Sequence, residues 1–269
     1  VGSEMCIRDR GTFSYLAALK LMAQSQQDDD CLVEKDNLYE VMTSLQKETT
    51  ATAIVPIENS IEGTINVIAD TLTDYPFVVV DEILLDIAFA LYGLPEQSLA
   101  DITKVYSISP AISQTQRFIH AHQFDYDYTP STVASLREIN ATTGAIAPIG
   151  SGEMYGYHAL QTHIEDYPHN MTRFLVLKHA SEVAHQSGKD WLLVITPTED
   201  KPGLLANILN TFAMFQVNLK WVESRPLKTK LGMYRFFVQA ECPLDETVNK
   251  ITTILKTLDF ELKNLGRFN

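Results

Sequence analysis

The chain has 269 residues, 45% of them hydrophobic, enough for one large core or two to three small ones. Its 21 basic against 34 acidic residues give a formal net charge of −13, which argues against binding along a nucleic-acid backbone. No apolar run approaches the ~18 residues of a membrane span, and no secretory signal pattern opens the chain. Cys6, Cys31 and Cys242 are too few and too scattered for a disulfide framework or a zinc site, so a reducing cytoplasmic setting is expected.

Residues 1–10 show neither helical nor strand periodicity and do not begin with Met; they are read as a non-native segment outside the fold. From Gly11 onward the pattern alternates. Tyr15 to Ala23 reads as a helix capped by Thr12 or Ser14, and Ala51 to Ile57 as a short apolar strand. Ile61 to Leu72 carries Ile61, Ile65, Ile68 and Leu72 on one helical face. Phe77 to Val80 and Lys104 to Ile108 read as strands, and Ser109-Pro110 as an N-cap followed by a proline at the first helical position. Ser131 caps a predicted helix through Ile139, Gly144 to Ile149 is a strand, and a further helix is predicted near Met154 to Thr162. Strands alternating with helices indicate an α/β sheet with helices on its faces.

The polar segment 180–190 reads as a linker. After it come a strand (Trp191 to Thr196), a helix (Pro202 to Phe215), two strands (Val217 to Ser224, Met233 to Ala240), a helix (Leu244 to Leu258) and a strand (Phe260 to Leu265). This βαββαβ order is the ferredoxin-like one.

Four segments of the first module place small hydroxyl or amide residues where strand gives way to helix: Gly11 to Ser14, Glu58 to Gly63, Ser131 to Ala134 and Asn170 to Phe174. In open α/β sheets that rim binds ligands, and helix N-termini there suit carboxylates. Each segment alone reads more readily as a helix cap. Their joint occurrence favours a site.

The run Ile54 to Asn66, IVPIENSIEGTIN, resembles the Pro-Ile-Glu-Asn-Ser-x-x-Gly signature of the prephenate dehydratases. GTFSYLAA from Gly11 resembles that family's opening motif, and Asn170-Met171-Thr172-Arg173-Phe174 its Asn-x-Thr-Arg-Phe motif. In the second module, Glu223-Ser224-Arg225-Pro226 and Tyr234 to Val238 resemble the ACT domain fused to these enzymes. The resemblance runs from about Gly11 to the C-terminus, with its motifs in family order.

The resemblance implies a two-lobed catalytic module over 11–180, similar to periplasmic binding proteins, and an ACT regulatory domain over 190–269. Lobe 1 would take about 11–75 and 165–180, and lobe 2 about 76–164, with the chain crossing near Tyr75 and Glu165. The activity implied is loss of water and carbon dioxide from prephenate to give phenylpyruvate, in phenylalanine biosynthesis. Aromatisation drives that reaction, so neither cofactor nor metal is expected.

By the same resemblance Thr172 stands beside the leaving hydroxyl. Asn59 and Ser60 supply neutral donors, and Glu58 acts as a general acid or orients its loop. Thr12, Ser14, Ser131 and Thr132 are assigned to substrate binding, with Arg173 and Phe174. Arg173 either holds a substrate carboxylate or pairs internally, and Phe174 belongs as readily to the core. Ile108 stands where the family has a histidine, so no imidazole help is expected from that loop, and its role is set aside. In the second module Gly203-Leu204-Leu205 resembles the family's Gly-Ala-Leu turn. With Glu223, Ser224, Arg225 and Pro226 it implies a phenylalanine site between paired ACT domains, in a homodimer or homotetramer. The competing reading is a two-lobed, non-catalytic carboxylate binder with an ACT sensor.

Overall fold

In the computed structural model the described residues are 4–8, 11–25, 32–184, 186–228 and 232–269. Lobe 1 is built from β1 (Met5–Arg8), α1 (Phe13–Ser25), β2 (Leu32–Lys35), α2 (Leu38–Lys47), β3 (Thr52–Asn59), the short β4 (Gly63–Thr64), α3 (Asn66–Asp74) and β5 (Phe77–Asp86). Lobe 2 follows with β6 (Phe89–Gly93), β7 (Lys104–Ser107), α4 (Ser109–Ser113), α5 (Gln116–Ala121), β8 (Asp125–Tyr128), α6 (Thr132–Arg137), β9 (Thr143–Pro148) and β10 (His158–Thr162). The chain then returns to lobe 1 as β11 (Met171–His179).

The lobe 1 sheet runs β2-β1-β3-β11-β5, with β4 paired to β3. Strands β1, β2 and β3 are parallel, while β11 lies antiparallel between β3 and β5. Its two faces are covered by separate apolar clusters. One gathers Ile7, Ala17, Met22 and Phe174 under α1; the other gathers Val41, Leu45, Ile68 and Leu72 under α2 and α3. Strands buried on both faces become continuous apolar runs, as in Thr52 to Ile57. The lobe 2 sheet runs β10-β6-β9-β7-β8.

Four local readings change. Residues 1–10 were expected to lie outside the fold, yet Met5, Cys6 and Ile7 are buried and β1 pairs with both β2 and β3; three apolar residues are too short a run to announce a strand. The chain crosses between lobes after β5 rather than near Tyr75, because β5 continues to Asp86 alongside β11. The helix expected from Ile61 begins only at Asn66, since Gly63 and Thr64 pair back onto β3. Met154 to Thr162 is not a helix. Gly156 turns left-handed, at φ 82, and releases the chain into the edge strand β10.

The C-terminal module comprises β12 (Asp190–Pro197), α7 (Leu204–Met214), β13 (Leu219–Pro226), β14 (Tyr234–Glu241), α8 (Asp245–Thr257) and β15 (Phe260–Phe268). Its antiparallel sheet has the order β13-β14-β12-β15, so the βαββαβ reading holds strand by strand. One sheet face is closed by α7 and α8 over Ile208, Phe212, Ile251 and Leu255. The other packs on lobe 1, where Leu192, Val194, Phe237 and Phe268 join Phe77, Val79 and Leu177 in one cluster. Each such fully buried side chain contributes roughly 1.5–3 kcal/mol, and the shared core ties the module to lobe 1. Lys263 adds a polar tie by donating to the carbonyls of Leu72, Thr73 and Tyr75 at the end of α3. No helix among the described residues is long and apolar enough to cross a membrane.

Candidate active site

A cavity of about 180 Å³ lies between the two lobes. Lobe 1 contributes Thr12, Ser14, Asn59, Glu62, Thr172 and Phe174, and lobe 2 faces them with Ser107, Ile108, Gln114 and Thr132 among others. Each residue arrives at the end of an element. Gly11 turns at φ 79, a conformation that favours glycine, and α1 begins directly afterwards. Thr12 caps that helix, its carbonyl accepting from Leu16 N and its hydroxyl from Tyr15 N.

At the centre, Thr172 and Asn59 are opposite each other on β11 and β3. Asn59 Nδ2 donates to Thr172 Oγ1 at 2.9 Å and to Asn170 Oδ1 at 2.8 Å. Its own Oδ1 accepts from Ile61 N at 2.9 Å and Glu62 N at 3.0 Å. Those two backbone bonds settle which end of the amide is which, so the NH₂ is held against Thr172. The threonine oxygen is therefore an acceptor toward Asn59, and its hydroxyl proton is left to donate elsewhere.

Across the cavity, Gln114 ends α4. Its Nε2 donates to Glu62 at 2.7 Å, and its Oε1 accepts from Asn170 Nδ2 at 2.6 Å. One lobe 2 side chain thus joins a connected polar network on lobe 1: Glu62, Gln114, Asn170, Asn59 and Thr172. Gln114, Asn170, Asn59 and Thr172 are buried, where unmet hydrogen bonds are costly.

Six of the residues expected here line the cavity together: Thr12, Ser14, Asn59, Thr132, Thr172 and Phe174. Phe174 is at once cleft wall and core. Four others do not line it. Ser60 ties β3 to β11, accepting from Met171 N at 2.9 Å. Ser131 spends its hydroxyl as the cap of α6, accepting from Ala134 N. Glu58 and Arg173 pair with each other at 3.2 Å on the face of the sheet away from the cavity. Arg173 then reaches the C-terminal module, where it hydrogen-bonds Gln239 and lies over the Trp221 ring. Of the two roles open to Arg173, internal pairing is the one its geometry takes. Strand geometry explains this, since successive side chains alternate faces.

The loop after β7 carries Ile108 in place of the family's histidine, yet it supplies Gln114 and much of the opposite wall. Asn170 and Glu62 were quoted in motifs without a role. Pro110 opening a short helix was the available signal, because it fixes where the next turn, and so Gln114, must fall. Arg8 also lines the cavity.

In the C-terminal module Gly203 adopts φ 87 ahead of α7, and Leu204 shares a cavity of about 160 Å³ with Tyr234. Tyr234 is paired with Pro226, whereas none of residues 223–226 lines the cavity beside Leu204. Val222, Ser224 and Pro226 are exposed along β13. Arg225 faces lobe 1 instead and pairs with Asp70 of α3 at 3.4 Å, where Lys228 joins at 2.7 Å. Burial pushes the Asp70 carboxyl up, but Lys228 and Arg225 more than offset it and hold it below the ordinary carboxylate range.

The prephenate dehydratase family model matches residues 9–182. The chain belongs to the prephenate dehydratase family. It is 32% identical to the prephenate dehydratase of Methanocaldococcus jannaschii over 93% of this chain and 90% of that one. Among solved structures it is similar to the prephenate dehydratase of Staphylococcus aureus, with 51% identity, TM-score 0.89 and full coverage of both chains. The Arthrobacter aurescens prephenate dehydratase in complex with L-Phe is 29% identical at TM-score 0.85, covering 99% of this chain and 90% of that one.

Proposed function

We propose that the inter-lobe cavity is where this enzyme converts prephenate to phenylpyruvate, with Thr172 as the donor to the departing hydroxyl. The observation that carries the reading is the Asn59–Thr172 contact at 2.9 Å. A threonine hydroxyl is a weak acid, but one that accepts from a clamped amide is polarised and directed. It stabilises negative charge as the carbon–oxygen bond breaks; preorganised donors of this kind are worth about 10²–10³ in rate.

The ring carboxylate must leave as carbon dioxide while the hydroxyl leaves as water, so placement governs the rest. Thr12, Ser14 and Thr132 supply hydroxyls around the cavity, and the positive end of the α1 dipole favours an anion there. Holding the substrate between lobes, as in periplasmic binding proteins, also excludes water and strengthens every polar contact. Gln114 and Glu62 close the opposite side. Ser60, Glu58 and Ser131 support this arrangement from outside the cavity, by joining strands and capping a helix.

The C-terminal module is read as an ACT sensor for phenylalanine. Gly203, Leu204 and Leu205 would face Glu223, Ser224 and Pro226 of a second chain, in a homodimer or homotetramer. The exposed face of β13 and the complex that the Arthrobacter relative forms with L-Phe support that reading.

The test is an assay of phenylpyruvate formation from prephenate. Thr172→Ala should lower kcat by about 10²-fold or more, and Thr172→Ser should recover part of it. No product from the parent protein would remove the dehydratase reading, and a fully active Thr172→Ala would remove the role of the hydroxyl.

A further inference from the structure

Arg173 sits on the strand that carries Thr172 but faces the other way. Thr172 and Phe174 enter the cavity, and Arg173 points into the C-terminal module. There its Nη1 donates to Oε1 of the buried Gln239, and its guanidinium carbon lies 4.7 Å above the centre of the Trp221 ring. Glu58 stands 3.2 Å from Nη2 and Glu82 3.5 Å from Nη1. Gln239 also donates to Glu82 at 3.2 Å. Trp221 and Gln239 are partners across β13 and β14, so both contacts come from one spot on the C-terminal sheet.

Strands β11 and β3, which carry Arg173 and Glu58, hold Thr172 and Asn59 on their other face. Thr172 is opposite Asn59 and Arg173 is opposite Glu58, but Phe174 is opposite Pro56, leaving Ile57 as an extra residue. A bulge of this kind bends its strand and re-aims the neighbouring side chains. Arg173 is held on the back of the sheet at the residue where the front changes direction.

We propose that Arg173 is a positioning residue through which Gln239 and Trp221 of the C-terminal module set the direction in which Thr172 and Asn59 enter the cavity. This rests on the dehydratase reading and gives it a route: an effector that shifts the C-terminal sheet moves the guanidinium, and with it the strand bearing Thr172. The planar fork suits the task. It is permanently charged, stacks on an aromatic ring and donates along fixed directions, which a lysine cannot reproduce.

Gln239→Leu and Trp221→Leu in the full chain test the link. Neither residue lines the cavity, so KM for prephenate should be unchanged while kcat falls roughly tenfold or more, as misplacement of a reacting group does. Arg173→Lys should reproduce the loss despite keeping the charge. Hydrogen exchange over residues 170–176 supplies a readout that needs no turnover, and Gln239→Leu should speed it. Unchanged kcat and unchanged protection in Gln239→Leu, with only the thermal midpoint lowered, would show a merely structural contact and overturn the proposal. A parent protein without prephenate turnover would count against the dehydratase reading instead, and the exchange result would then decide the role of Arg173 alone.

Discussion

Gly266 of β15 lies against Val79 of β5 so closely that a β carbon on it would fall inside contact distance of the Val79 carbonyl oxygen. Its φ of 137 is also one that side-chain-bearing residues rarely adopt. Gly266→Ala should therefore force β15 away from lobe 1, at a cost of about 1–3 kcal/mol by overpacking. Thermal unfolding checks it: the midpoint should fall by several degrees, and an unchanged midpoint would mean that the two sheets separate freely there.

Asn59→Asp separates orientation from donation. The carboxylate keeps an acceptor for the amides of Ile61 and Glu62, so the turn should survive. It loses the NH₂ that reaches Thr172 and Asn170 and places negative charge beside them. The expected result is a loss of about 10²–10³ in kcat with a near-normal circular dichroism spectrum.

Gln114→Leu tests the span across the cavity. It leaves Asn170 Nδ2 and Glu62 without the partner they have now, and a buried polar group so abandoned costs about 1–3 kcal/mol. The value of kcat/KM should drop by about tenfold, the equivalent of roughly 1.4 kcal/mol. Steady-state kinetics that match the parent would remove Gln114 from the site.

Asp70 gives the module contact an acid limit. Its folded pKa lies below the ordinary value of 3.8, so the ionised form is favoured by folding. That stability is fully present above the unfolded pKa and is lost as pH falls through the folded one. Asp70→Asn should flatten this part of the profile. Thermal midpoints of the two proteins should differ at pH 7 and converge as the pH falls through the lowered folded pKa; a gap that stays constant into acid would contradict the pairing with Lys228 and Arg225.

The C-terminal module was the most legible part of the chain, because each of its six elements has a clear period and the order alone selects the topology. The cleft was legible through its caps. Thr12, Ser14 and Thr132 begin helices, Asn59 ends β3 and Thr172 begins β11, and that is why they meet. Side-chain direction was the harder matter. Reading Asn170 to Phe174 as a block put Arg173 beside Thr172, whereas the alternation of a strand puts it on the opposite face. Ser60 and Ser131 show the complementary limit, since a hydroxyl at the rim serves the backbone as readily as a ligand. Gln114 is not legible because it follows a helix of only five residues, too short to show which side its end faces. Phe89 to Gly93, buried throughout as β6, is too short an apolar run to be told from a buried helix segment.

Strand β11 lies between β3 and β5, yet all of lobe 2 separates it from them along the chain. On a growing polypeptide, therefore, lobe 2 emerges while the sheet of lobe 1 still has an open slot. Thr172, the proposed donor, arrives with the last strand to fill that slot, so the cavity receives it in the same event that completes the fold. Closing so long an interval is slow relative to local pairing, and until it happens the facing edges of β3 and β5 are open to a wrong partner. A nascent chain stalled before Met171 would carry most of the cavity wall but neither Thr172 nor Phe174.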